Sequence, residues 1–233
     1  MNLFYAPGLD KKATSYVFDK DESRHISKVL RKKTGDTLFL TNGKGLLFTA
    51  VITDDNPKKT GVKIEKATTK SPKNYHVHVA MAPTKSNDRM AFFLEKATEM
   101  GMDGFTPVIT KYSERKTINH SRYEKVVTAA MKQSLQFYKP QISEATAFEK
   151  FLSQDFTGYK KLIAYCNAAK PVLESFSKNE NLLLLVGPEG GFDQSEIDQA
   201  LAVGFTPVLL SNNRLRTETA GLTGVMAVAL KNL

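Results

Sequence analysis

The chain changes its hydrophobic rhythm about a third of the way along. Up to residue 72 the apolar positions come in short, β-branched and aromatic runs: Tyr16-Val17-Phe18, Thr37 to Leu40, Leu47 to Ile52, and a last strand marked by Val62 and Ile64. Asn42-Gly43-Lys44-Gly45 separates two of these runs, which is hairpin punctuation. Between them, Ile26, Val29 and Leu30 stand at helical spacing and predict a helix over Asp21 to Arg31. The segment reads as a small β-rich domain of barrel type. The polar break Lys70-Ser71-Pro72-Lys73-Asn74 ends it, so the expected division is 1–72 and 73–233.

Beyond the break, strand and helix patterns alternate. Strands are predicted at His76 to Ala82, Thr106 to Thr110, Leu162 to Cys166, Leu182 to Val186 and Thr206 to Leu210. Helices are predicted at Asn87 to Met102, Ser121 to Gln136, Pro171 to Phe176, Asp193 to Val203 and Thr217 to Leu230. Asp193 with Glu196 three residues later is a capping-box signature. Leu182 to Val186 shows no polar alternation, as a strand buried on both faces requires. Repeated β-α alternation implies a mostly parallel sheet covered by helices.

Charge changes the picture further. The formal net charge is +9, and residues 1–72 carry 14 Lys and Arg against 8 Asp and Glu, so two thirds of the excess sits in the first third of the chain. That asymmetry suits an acidic partner, and nucleic acid is the commonest large one. A single cysteine, Cys166, excludes an internal disulfide and a Cys-based zinc site, and four scattered histidines have no metal-ligand spacing, so no metal is expected. No apolar run reaches membrane length and no leader pattern opens the chain, so the expected compartment is the cytoplasm.

Two loops carry candidate chemistry. Gly187-Pro188-Glu189-Gly190-Gly191 follows the buried strand, where glycines let a backbone approach a ligand at the sheet edge. No phosphate-gripping G-x-x-x-x-G-K-[ST] or dinucleotide G-x-G-x-x-G is present, and Pro188 and Glu189 suit phosphate poorly. The second loop, Leu209 to Ala220, enters a helix that Thr217 can cap, with Arg214 and Arg216 as candidate anion ligands. That helix carries Ala220, Gly221, Thr223, Gly224 and Ala227, a composition expensive by propensity unless another backbone packs close, and a two-fold interface is the expected beneficiary.

Together, "LLLLVGPEGG" and "LLSNNRLRTETA" resemble the C-terminal signature of the RsmE family, the uridine-N3 methyltransferases of 16S, small-subunit ribosomal RNA, in the SPOUT class. "HISKVLRKKTGD" (His25 to Asp36) resembles that family's N-terminal helix and turn, and Lys85, Arg89, Lys96, Glu99 and Gly101 fall on its basic helix. The chain departs from the family at Asn213, where an arginine is usual, and at Lys132 to Gln136, where an acid and an arginine are lost. The resemblance implies an α/β fold with a SPOUT-type trefoil-knotted parallel sheet, plus a small N-terminal PUA-like β-barrel. It implies S-adenosylmethionine as cofactor, held by Tyr165, Gly187, Pro188, Glu189, Gly190, Gly191, Leu210, Ser211, Leu215, Thr219 and Ala220. Arg216 would stabilise charge on the uracil and Glu218 is a candidate base. Arg24, Lys28, Arg31, Lys32 and Arg89 would grip RNA, the small ribosomal subunit being the partner and a homodimer the active form. Two alternatives remain at this level: an RNA-binding ribosome-assembly module with a vestigial site, and a ribose 2′-O-methyltransferase.

Overall fold

In a computed structural model the described residues are 2–233; Met1, the expected start of the first domain, lies outside them. The described residues form two compact units, one of residues 2–72 with 131–139 and one of 73–130 with 140–233.

The first unit contains β1 (Leu3–Tyr5), β2 (Ser15–Val17), α1 (Lys20–Arg24), β3 (Thr37–Thr41), β4 (Leu46–Asp54) and β5 (Gly61–Thr69). The strands form one sheet in the order β1-β3-β4-β5-β2. Register shifts between Thr49 and Ala50 and between Ile52 and Asp54 bend β4. Phe4, Phe18, Ile26, Leu38, Leu40, Phe48, Ile52 and Val62 bury together inside it. The predicted helix over Asp21 to Arg31 is two structures. Asp19 caps α1 by accepting from the Glu22 N–H at 2.8 Å, and a π-helical turn, His25–Val29, follows. The Leu30 N–H reaches back five residues to the His25 carbonyl, and Arg31 ends the turn at φ 55°.

One segment departs from the expected division. Residues 131–139 were expected in the second domain, and they cluster with the first unit instead. Gly45 N–H donates to the Phe137 carbonyl (2.8 Å), Lys139 N–H to the Gly43 carbonyl (2.9 Å), and the Tyr138 hydroxyl to the Lys70 carbonyl (2.8 Å). The hairpin between β3 and β4 is the anchor for all but the last of these.

In the second unit the order is β6 (Val77–Met81), α2 (Asn87–Glu99), β7 (Gly104–Ile109), α3 (His120–Gln133, its end from residue 131 falling in the first unit), β8 (Gln141–Ile142), β9 (Thr146–Ala147), α4 (Phe148–Leu152), β10 (Tyr159–Ala164), β11 (Asn181–Val186), α5 (Gln194–Ala202), β12 (Thr206–Val208) and α6 (Thr217–Lys231). The sheet runs β12-β10-β11-β6-β7-β8, with β9 also on β7, and its strand pairs are parallel. Leu182, Leu184 and Val186 face one apolar layer, while Leu183 and Leu185 face the other. The unbroken apolar run of β11 is thus a strand buried on both sides. The three small elements β8, β9 and α4 gave no signal in the sequence.

The glycines of α6 have a use different from the expected one. A Cβ on Gly221 would stand 2.6 Å from Phe93 Cε2 of α2, and one on Gly224 would collide with the Leu184 side chain of β11. The helix's small face is therefore filled by its own chain: the propensity lost at the glycines is offset by close seating of α6 on α2 and β11. Gly221 and Gly224 therefore need no second copy of the chain to account for them.

Candidate active site

Parallel strands aim their carboxyl ends at one edge, and three loops meet there. A cavity of about 510 Å³ lies between them. The loop after β10 contributes Tyr165 and Cys166, the loop after β11 contributes Gly187, Pro188, Glu189, Gly190 and Gly191, and the segment after β12 contributes Leu210, Ser211, Leu215 and Ala220. All the sequence-predicted cofactor residues except Thr219 line it. Thr219 faces solvent, because Ala220 and Thr217 are the positions of the first turn of α6 that turn toward the cavity.

Local backbone chemistry explains the shape. Gly191 sits at φ 77°, closing a turn in which its N–H donates to the Pro188 carbonyl at 2.8 Å. A Cβ on Gly187 would stand 3.0 Å from the Phe192 ring. Thr217 does not cap α6. Arg216 occupies the cap position without a side-chain bond, and the Thr217 hydroxyl donates to the Gly187 carbonyl at 3.2 Å, tying two of the loops together. The first and third loops are tied by backbone bonds from Val172 N–H to the Leu209 carbonyl (3.0 Å) and from Leu209 N–H to the Lys170 carbonyl (2.9 Å).

A second set of contacts holds the glycine loop from the side, and sequence reading missed it. Lys111 Nζ and the Tyr112 hydroxyl meet Asp193 Oδ2 at 2.7 and 3.0 Å, and Lys111 N–H donates to Glu196 Oε1 at 2.7 Å. The Lys111 ammonium first, then Ser195 and Tyr112, hold the Asp193 carboxyl well below the usual carboxylate range. The capping box of α5 forms as expected, with Asp193 accepting from Ser195 N–H at 3.1 Å. Tyr112 also lies across Gly190: a Cβ there would be 3.2 Å from that of the tyrosine. No motif marks Lys111 and Tyr112; only their place just past the end of β7, at the same edge of the sheet but with β6 between them and the loop-bearing strands, could have suggested them.

The two catalytic candidates are separated. Arg216 is exposed and outside the cavity lining, as its place at the extended cap position requires. Glu218 is buried at 6% exposure, with Oε1 3.7 Å from Arg89 Nε of α2. Arg89, expected among RNA-gripping residues, is thereby in the second unit beside Glu218. Arg24, Lys28 and Arg31 are exposed on the first unit, at the end of α1, on the π-helical turn and just after it, and Lys32 pairs with Asp36 at 4.0 Å. Among the described residues no group of histidine, cysteine and acidic side chains could hold a metal.

A family model described as an RNA methyltransferase domain matches residues 71–229, and one described as an RNA methyltransferase PUA domain matches residues 18–65. A crystal structure of a probable rRNA-methyltransferase from Porphyromonas gingivalis is 35% identical, with a TM-score of 0.92, covering 100% of this chain and 98% of that one. A structure of ribosomal RNA small subunit methyltransferase E from Neisseria gonorrhoeae bound to S-adenosyl methionine is 28% identical at TM-score 0.88, covering 97% and 96%. The protein of the same name from Rickettsia conorii is 28% identical over 213 residues, 88% of this chain and 85% of its own.

Proposed function

The chain belongs to the RNA methyltransferase family, with the ribosomal RNA small subunit methyltransferase E proteins as its relatives, and from that premise we propose that it methylates N3 of a uridine in 16S ribosomal RNA using S-adenosylmethionine. The observation that carries this reading is the three-loop cavity. Its volume suits a cofactor of that size, and its walls combine apolar side chains such as Leu210 and Leu215 with open backbone. It lacks a phosphate cradle, which a sulfonium nucleoside does not need. Tyr165, Gly187 to Gly191, Leu210, Ser211, Leu215 and Ala220 would hold the cofactor, which supplies an electrophilic methyl group when bound. The chain's own part is to fix the glycine loop through Thr217 and Asp193, and to present an apolar wall at Val186 and Ala220.

In this reading the first unit grips RNA phosphates with Arg24, Lys28 and Arg31, and the second performs the transfer, in the cytoplasm where ribosomal RNA resides. No helix among the described residues is long and apolar enough to cross a membrane. A homodimer is part of the proposal on new grounds: Phe92 of α2 and Met226 and Leu230 of α6 are 51%, 38% and 58% exposed on two helices that pack together. Nucleoside mass analysis of small-subunit RNA from cells with and without the protein tests the reaction. N3-methyluridine that depends on the protein is the expected result; a 2′-O-methylated nucleoside, or no change, overturns it. Sedimentation at micromolar concentration reads the mass.

A further inference from the structure

Glu218 poses a physical problem that the cofactor cavity does not solve. Its Oε2 is shielded from solvent and has no hydrogen-bond partner among the described residues. A buried carboxylate left half-satisfied is costly, and the N-terminal turn of α6 offsets only part of that. Its ion partner is Arg89, through Nε at 3.7 Å. The pair approaches through Nε and is longer than a hydrogen bond, so the guanidinium keeps both Nη groups available as donors. The neighbouring cations are already engaged. Lys85 pairs with Glu114 at 2.9 Å, Arg122 with Asp88 at 2.9 Å, and Arg115 donates to Asn87 and to the Lys85 carbonyl.

The place of the pair is equally specific. Glu218 stands between Thr217 and Ala220, which both line the cavity. The stretch leading into α2 touches the glycine loop, with Lys85 N–H directed at Glu189 Oε1 at 3.4 Å. A half-exposed guanidinium, fixed from behind by a buried carboxylate beside a methyl-donor cavity, is suited to meeting negative charge that appears during a reaction.

Resting on the uridine-N3 reading, we propose that Arg89 is the catalytic cation and Glu218 its positioning residue, in place of Arg216. In the step, N3 of the uracil gives its proton to water, and the negative charge left on the ring is shared with the flanking carbonyl oxygens. Arg89 donates to one of those oxygens. The N3 lone pair then forms the new bond to the methyl carbon as the carbon–sulfur bond breaks, its electron pair staying on sulfur. Glu218 takes no proton; it fixes the direction of the guanidinium.

The test uses ribosomal RNA from cells lacking the enzyme, grown with uracil or with 5-fluorouracil, whose fluorine makes N3–H more acidic. The variants are Arg89→Gln, Glu218→Gln and the double variant. The expected result is a loss in kcat on the order of 100-fold for Arg89→Gln, with KM for RNA unchanged and a smaller deficit on the fluorinated RNA. Glu218→Gln should lower kcat less, and add nothing on top of Arg89→Gln. S-adenosylmethionine affinity, read by calorimetry, should match wild type in all three, which also reports that they fold. A rise in KM with a shallower salt dependence of RNA binding would make Arg89 a phosphate contact and overturn the proposal. So would an equal deficit on both RNAs, additive losses, or lost cofactor affinity. Wild-type protein that makes no N3-methyluridine would remove the uridine reading itself, whatever the variants do.

Discussion

His78 is the second residue of β6, where its ring fills the space left by the absent side chain of Gly104 on β7. Its Nε2 is 2.8 Å from the Thr106 hydroxyl and its ring packs edge-on against Phe156. Burial pushes its pKa down from 6.5 to about 4. The unfolded chain therefore takes up a proton on this residue before the folded one does. Stability falls as pH drops from about 6.5 toward 4, by up to about 3 kcal/mol once both states are protonated. Urea denaturation of wild type and His78→Leu at pH 7 and pH 4.5 should show a larger acid loss in wild type; equal losses would put the acid sensitivity elsewhere. The sequence shows a histidine among apolar residues and nothing of this, because the space it occupies is made by a glycine 26 positions away.

At the scale of elements, the strand–loop–helix order was legible nearly throughout, since a 2-residue or 3.6-residue period survives in the strands and longer helices. The cavity loops were legible too, because glycine and proline mark turns whatever surrounds them. Illegible were the pieces defined by partners distant in sequence: the two-residue strands, the π-helical turn, and Lys111 with Tyr112. The last two matter for the site. Tyr112 is 46% exposed and could be taken for a surface residue, but it lies over Gly190 and bonds Asp193. Tyr112→Ala should loosen the glycine loop and cost about 1 kcal/mol of cofactor binding, roughly a fivefold rise in Kd, with Tyr112→Phe in between. Calorimetry with S-adenosylmethionine measures it, and an unchanged Kd for Tyr112→Ala would show that the loop holds its shape unaided.

For the whole molecule, the uneven charge read from composition has a structural address. Arg24, Lys28 and Arg31 are exposed on consecutive turns of the first unit and make no ion pair among the described residues, so they can neutralise phosphates at no cost in broken contacts. Changing the three to alanine should weaken RNA binding and reduce the slope of log affinity against log salt by about 2. Cofactor affinity should not move. An unchanged slope in filter binding across a salt series would mean that these side chains face only water. Arg216 and Thr219 lie off the cavity lining, at the cap and in the first turn of α6: a motif gives the residues but not which of them face the cavity.

The ties from Phe137, Tyr138 and Lys139 to the hairpin at Gly43 to Gly45 also order events during synthesis. A nascent chain emerges from its amino end, so the five strands of the first unit are all available by residue 69, yet their last covering segment is translated 62 residues after β5 ends. At a rate of about 5–20 residues per second, that is a delay of roughly 3–12 seconds. Throughout it the hairpin stands open at its tip. The completion of the first unit thus waits until β6, α2, β7 and most of α3 have been made, and the two units mature as one interleaved product of translation.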